Sequence, residues 1–341
     1  MDIKNNKMIQ KFKKKAILFS LISILFAILF ITLFSQSFSS VYEDRLPGSN
    51  IRIKVIDTYT RNFEKYVGDS IKVSSYKTLD AITIYRYTHG RFFNSFKEFN
   101  NTFHECLICG YTNCSNQTTI YDCNTTSYDL KARLDNLTEL SKNQLNIKTD
   151  YIINSVDIEQ KYAFEIEVRV NISYNITDNS AGEHYAKWSK QQVITQQVSI
   201  VGLLDPKGYL NDSTNTYHRA IKRYRGICEF NESCWDTGTV EEFYKENSFR
   251  FYDGGASFLN RYWNNMTQSD IGIETILHPT ELNPLDKNNT YIDNVYWEGI
   301  RTCEEGKKIV SILLDSEDVH FDQETAARYH VANSSTIYCT P

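Results

Sequence analysis

The chain opens on an apolar run, nineteen residues from Ala16 to Phe34 reading AILFSLISILFAILFITLF, with two serines and a threonine as the only polar members. At 1.5 Å per residue a helix of that length spans about 28 Å, close to the hydrocarbon thickness of a bilayer. Residues 16–38 are therefore expected to form a transmembrane signal-anchor helix with the bilayer as its partner. Leu46-Pro47-Gly48 breaks that helix. Ile56, Tyr59, Phe63, Val67, Ile71, Leu79 and Ile82 then recur at three- and four-residue steps, which predicts an amphipathic stalk or packing helix over 51–90.

Residues 91–128 are rich in Asn, Thr and Cys and read as a stapled loop region, followed by a helical stretch over Tyr128 to Leu145. Tyr162, Phe164, Ile166, Val168, Val170 and Ile172 alternate with Ala163, Glu165, Glu167, Arg169 and Asn171, the period of a strand with one wet face. A second strand is expected from about Gln191 to Val201, paired antiparallel through a turn near Asp178 to Gly182. Apolar runs at 290–297 and 309–314 are expected to extend the sheet, with helical pieces near 240–247 and 323–329 packed on it. The class is α+β: an N-terminal transmembrane helix, a stalk helix, and a disulfide-bonded domain over 91–341 in which helices pack on an antiparallel sheet.

Charge gives this pattern a direction. Residues 1–15 hold Lys4, Lys7, Lys11, Lys13, Lys14 and Lys15 against Asp2, net +5, so the total of −5 leaves −10 for the remainder. Positive-inside placement puts this basic tail in the cytoplasm and the C-terminal domain outside the cell membrane in single-pass topology. The acidic remainder excludes a nucleic-acid partner, which needs a basic face. A cleaved secretory signal has the same order of basic and apolar segments. Its apolar core is usually about 7 to 15 residues with an A-x-A-like cut, and no such site follows here.

All eight cysteines, Cys106, Cys109, Cys114, Cys123, Cys228, Cys234, Cys303 and Cys339, follow the apolar helix. An even set beyond a membrane segment reads as a disulfide framework. Clustering favours Cys228 with Cys234 and Cys303 with Cys339, leaving the first four to close among themselves. A zinc knuckle is the rival for Cys106-Leu-Ile-Cys109. Twelve N-x-[ST] sequons also lie beyond the helix, at Asn100, Asn113, Asn116, Asn124, Asn136, Asn171, Asn175, Asn211, Asn231, Asn265, Asn288 and Asn333, where composition alone would give roughly five. Glycan transfer on the outer side fits the same topology.

No G-x-S-x-G, H-E-x-x-H, P-loop or G-x-G-x-x-G occurs. The histidines are scattered; His320 and His330 could approach Asp315, Glu317 and Asp318, where a solvated charged loop is the ordinary alternative to a calcium site. Glu241 and Glu242 sit on an expected helix surface. No catalytic residue, metal ligand or cofactor is assigned. Phe249, Phe251, Tyr252, Phe258, Tyr262 and Trp263 form a dense aromatic stretch; Phe258, Tyr262 and Trp263 are the candidate sugar- or protein-binding patch if exposed, and core if not.

Three stretches carry a resemblance: Asn62-Phe63 through Gly90 with Asp69-Ser70-Ile71 and Ala81-Ile82; Val198 to Pro206 with Tyr209 and Asn215; and Ser257-Phe258-Leu259-Asn260-Arg261 with Gly272-Ile273-Glu274-Thr275 and an Asn294-Val295-Tyr296 strand. In this order they resemble an uncharacterised family of membrane-anchored cell-surface proteins of DPANN-type archaea. The chain departs from the family at Gly255-Ala256, where a proline is usual, and at Leu204, where a glutamate is. The basic-then-apolar start also resembles type IV pilins and archaellins, although Lys15-Ala16 is a poor prepilin-peptidase site and Pro47-Gly48 interrupts the helix a pilin would continue. The resemblance implies an envelope protein with a structural, adhesive or cell-contact role. A pilin-like filament subunit that self-associates, and a membrane-tethered enzyme acting on envelope glycans, are the alternatives.

Overall fold

The computed structural model describes residues 47–110, 128–179, 187–207, 219–229, 231–279, 289–298 and 308–331, with residue 282 and the short segments 209–211, 215–217 and 336–338. Residues 16–38 lie outside this set, as do Cys114, Cys123, Cys303, Cys339, Asn113, Asn116, Asn124, Asn288 and Asn333. Among the described residues no helix is long and apolar enough to cross a membrane.

The chain divides into a unit ending at Thr60 and a second, Arg61–Pro341. Helix α1, Pro47–His89, starts on the proline that was expected to act as a breaker. Proline suits a first helical turn, whose N–H groups have no intrahelical acceptor. From Arg61 onward α1 belongs to the second unit and buries Phe63, Val67, Ile71, Leu79 and Ile82, the face that the periodicity marked.

A three-stranded antiparallel sheet takes the order β1–β2–β3, with β1 Ile147–Tyr162, β2 Glu165–Asp178 and β3 Lys187–Ser199. In β2, Ile166, Val168, Val170, Ile172, Tyr174 and Ile176 are buried, matching the alternation. The strand expected through Tyr162 is in fact two strands: alternation runs on through a tight turn at Ala163–Phe164, which Gln160 Nε2 closes on the carbonyls of Tyr162 and Ala163 at 3.1 and 3.0 Å. β1 carries no continuous alternation because a register shift between Ile153 and Ser155 moves its buried positions from Ile147 and Thr149 to Val156 and Ile158. An inserted residue reverses which face each later side chain meets. Glu64 of α1 clamps the helix to the sheet through Tyr174 Oη and Lys190 Nζ. Burial works to raise its pKa, but those two donors hold it below the ordinary carboxylate value.

The segment expected as loop carries helix α2, Phe96–Cys109, capped by Ser95 and ended on Gly110 at φ 69°. Helix α3, Leu130–Leu145, follows where a helix was expected. β4 (Tyr209–Asn211) and β5 (Asn215–Tyr217) form a small hairpin. Helix α4, Thr237–Lys245, precedes a second small pair, β6 (Arg250–Ala256) with β7 (Ile273–Glu274). Two expectations fail in the last third. The run 290–297 is not a strand: it contains the short helix α5, Asp293–Trp297. The run 309–314 is strand β8, Lys308–Leu314, but it lies in a separate sheet between β9 (Glu317–Asp322) and β10 (Thr336–Tyr338). Helix α6, Gln323–Arg328, packs on β8 and β9 rather than on the main sheet. The core here joins Tyr224, Trp235, Phe243, Tyr291, Ile312, Phe321 and Tyr329.

The aromatic stretch belongs to the interior. Phe258 and Tyr262 have no exposed surface, and Tyr262 stacks on Phe99 of α2 at 4.5 Å. Trp263 is half-buried against Phe96 and Phe99. Phe258, Tyr262 and Trp263 are thus the packing between α2 and the second half of the unit, not a binding face.

Candidate functional site

The β1–β2 turn projects Lys161, Tyr162, Phe164 and Glu165 towards Arg223, Phe251 of β6 and the turn at Asp270–Ile271, and Gln197 of β3 completes a cleft of about 510 Å³. That size suits a small ligand or one segment of a longer one. Tyr162 is 57% exposed at its rim. Lys161 Nζ is held by Glu167 at 2.7 Å, Arg223 pairs with Glu229, and the Arg223 guanidinium lies 5.3 Å from the Phe164 ring centroid. The cleft thus offers an aromatic face, a primary amide, and charges of both signs already fixed in place. Such a lining recognises neutral or zwitterionic polar molecules through hydrogen bonds and ring contact.

Behind it lies a buried charge network that spacing in the sequence conceals. Asp205, Arg261 and Asp293 are fully buried; Arg261 donates to Asp205 Oδ2 at 2.9 Å, to Asp293 Oδ2 at 2.6 Å and to the Ile273 carbonyl at 2.9 Å. Asp293 Oδ1 accepts from the Thr275 N–H at 3.1 Å. Burial pushes the Asp293 carboxyl up to about 6, against the opposing pull of Arg261. One residue further along β7, Glu274 accepts from Arg328 at 2.7 Å, Tyr329 Oη at 2.7 Å and Arg250 Nε at 3.2 Å. Burial works to raise Glu274 as well, but Arg328 and Arg250 outweigh it and keep its pKa low. Three carboxylates are so matched by three guanidinium groups. The stretches 198–206, 257–261 and 272–275, singled out in the sequence, meet here. Asp205, Arg261 and Asp293 are closed to substrates, and Arg328 keeps only a small exposed surface; the chemistry of the network is structural, each charge offsetting the desolvation of its partner.

Lys207 sits beside this network, over the rings of Phe92 at 5.3 Å and Trp297 at 4.7 Å, with its Nζ donating to Asn264 Oδ1. Burial, aided by Arg86, brings its pKa down to about 8.

Cys228 and Cys234 form a disulfide, and Cys106 and Cys109 are each disulfide-bonded; among the described residues no cysteine is free. Oxidation of Cys106 and Cys109 removes the thiolates a zinc knuckle needs. Among the described residues no group of three or more His, Cys, Asp or Glu could hold a metal ion. His320 approaches Asp318 at 3.4 Å, but His330 turns instead to the Trp235 carbonyl at 3.0 Å.

The described sequons differ in setting. Asn231 and Asn265 lie in turns where each side-chain oxygen accepts from the backbone N–H and hydroxyl of its own Ser233 or Thr267, at 2.7 to 3.1 Å. Asn136 is exposed on α3, and Asn171 and Asn175 lie on the open face of β2. Asn211 is in β4. Asn100 lies on α2 with its amide oxygen buried, and its Thr102 is buried. No family model, curated protein or solved structure matches the chain.

Proposed function

We propose that this chain is a membrane-anchored extracellular glycoprotein with an adhesive or cell-contact role at the cell envelope, of the archaeal surface-protein type that its sequence resembles. The observation that carries the reading is the oxidised state of every described cysteine in a chain whose basic and apolar start precedes all of them. Disulfides persist on the oxidising side of a membrane and are rare in a reducing interior. The twelve sequons that follow the apolar run fit the same side, where glycan is transferred.

Within this reading the cleft at the β1–β2 turn is the contact site, and envelope saccharide is its ligand class. Tyr162 supplies a ring face, while Gln197, Glu165 and Asp270 supply acceptors and donors for hydroxyl groups. Binding of the full-length chain to isolated envelope polysaccharide tests this. Tyr162→Ala, at an exposed position, is expected to lower affinity about tenfold, the loss of one good ring contact. Unchanged binding by Tyr162→Ala, or hydrolysis of the polysaccharide, turns the reading towards another face or towards a tethered enzyme using Glu165 and Asp270.

A further inference from the structure

Strand β3 is one edge of its sheet, and among the described residues no strand pairs with its outer side. It pairs with β2 over thirteen consecutive residues without a register shift, whereas β1 has two shifts. Edges that remain solitary are usually short, bulged, or guarded by charge or proline. From Gln191 to Ser199 the strand reads QQVITQQVS, with no charge, proline or glycine. Its inner side chains face α1, where a Cβ on Gly68 would lie 2.6 Å from Gln196 Nε2. Its outer row, Gln191, Val193, Thr195 and Gln197, is exposed, Val193 to 58%.

The strand also reads nearly alike in both directions about Ile194. Within 189–199, Gln192 mirrors Gln196, Gln191 mirrors Gln197, Ser189 mirrors Ser199, and Val193 stands against the equally β-branched Thr195, while Lys190 and Val198 do not match; Lys187 and Trp188 lie beyond the mirrored stretch. We propose that two copies of this chain join β3 to β3 antiparallel about a twofold axis through Ile194, forming one continuous six-stranded sheet. A twofold interface brings each residue against the mirror position of the other copy, so a strand that is its own mirror is self-complementary. Gln191 then faces the partner's Gln197, and Ile194 faces its own counterpart. An amide row already crosses the open face, with Asn154 Nδ2 and Gln191 Nε2 both donating to Asn171 Oδ1 at 3.3 Å. It would continue through Gln191 into the second copy. Growth stops at two because the remaining edge, β1, is bulged and flanked by α3, whose Lys131 carbonyl and Asp135 accept from Tyr151 Oη.

Two measurements on the full-length chain in mild detergent test the geometry. Ile194→Cys meets itself across the axis at a separation a disulfide can span, and oxidation is expected to yield a reducible dimer. Ser199→Cys is about 33 Å from its counterpart in this register and is expected to stay unlinked. Equal linking of both variants, or of neither, overturns the proposal. Sedimentation supplies the second arm. The unmodified chain is expected to be a dimer, and Val193→Lys with Thr195→Lys, which sets lysine against lysine at exposed positions, a monomer with unchanged circular dichroism. An unmodified chain that sediments as a monomer, or a folded double variant that remains a dimer, overturns it equally.

Discussion

At the scale of single residues, Arg261 carries a large share of the buried charge pairing. Among the described residues it is the side chain that bridges Asp205 and Asp293, both without solvent contact. Arg261→Met keeps the volume and removes the charge, leaving two buried carboxylates without their cation; a loss of about 3 to 5 kcal/mol in urea unfolding is expected. Part of that loss should return on acidification, because Asp293, already raised by burial, takes up a proton more readily once Arg261 is gone. Lys207 makes the opposite demand on pH. Its folded pKa, about 8, lies below its ordinary value of 10.5, so between these limits the unfolded chain binds more protons and stability rises with pH. The gain across this window is about 3 kcal/mol at most, lost as pH falls through 8. Buried tyrosines such as Tyr262 and Tyr329, whose pKa burial raises, lose stability towards the alkaline end of the same range, so the Lys207 contribution is read as the difference between the unmodified chain and Lys207→Met. Urea titrations at pH 7.5 and pH 9.5 should show that difference growing by about 2 kcal/mol in favour of the unmodified chain.

Elements whose own residues carry a period could be read from the chain. The buried row of α1, the alternation in β2 and the antiparallel partner strand β3 all follow from local spacing. Helix α2 has the Asn-, Thr- and Cys-rich composition of a loop, which masks its helical signals: Ser95 and Glu98 form a capping signal, and Phe99, Phe103 and Cys106 share a face. The hairpin at Ala163 escaped because alternation does not register a turn that preserves it. Pairings across long separations, such as Glu274 with Arg250 and Arg328, leave no local trace, so residue spacing alone shows neither the buried network nor the cleft. Close approach is equally silent: a Cβ on Gly272 would lie 2.1 Å from the Gly255 carbonyl oxygen where β6 meets β7. Gly272→Ala is expected to cost about 2 kcal/mol through the backbone shift it forces. The Cys228–Cys234 bridge closes a loop of sequence separation 6, and Cys228→Ala with Cys234→Ala is expected to lower stability by about 2 kcal/mol.

At the scale of the whole molecule, an acidic head of helices and small antiparallel sheets, locked by buried ion pairs and disulfides, follows a start that is basic and then apolar. The proposal that this head folds outside the cell rests on the chemistry of that side, not on any likeness to a known protein. Mass spectrometry of protein taken from the cells that make it tests this most directly. The expected result is a retained Met1–Phe34 peptide, Cys228 linked to Cys234, no free thiol among the eight cysteines, and glycan on Asn231 and Asn265 but not on the half-buried Asn100. Reduced cysteines together with unmodified Asn231 and Asn265 would contradict it.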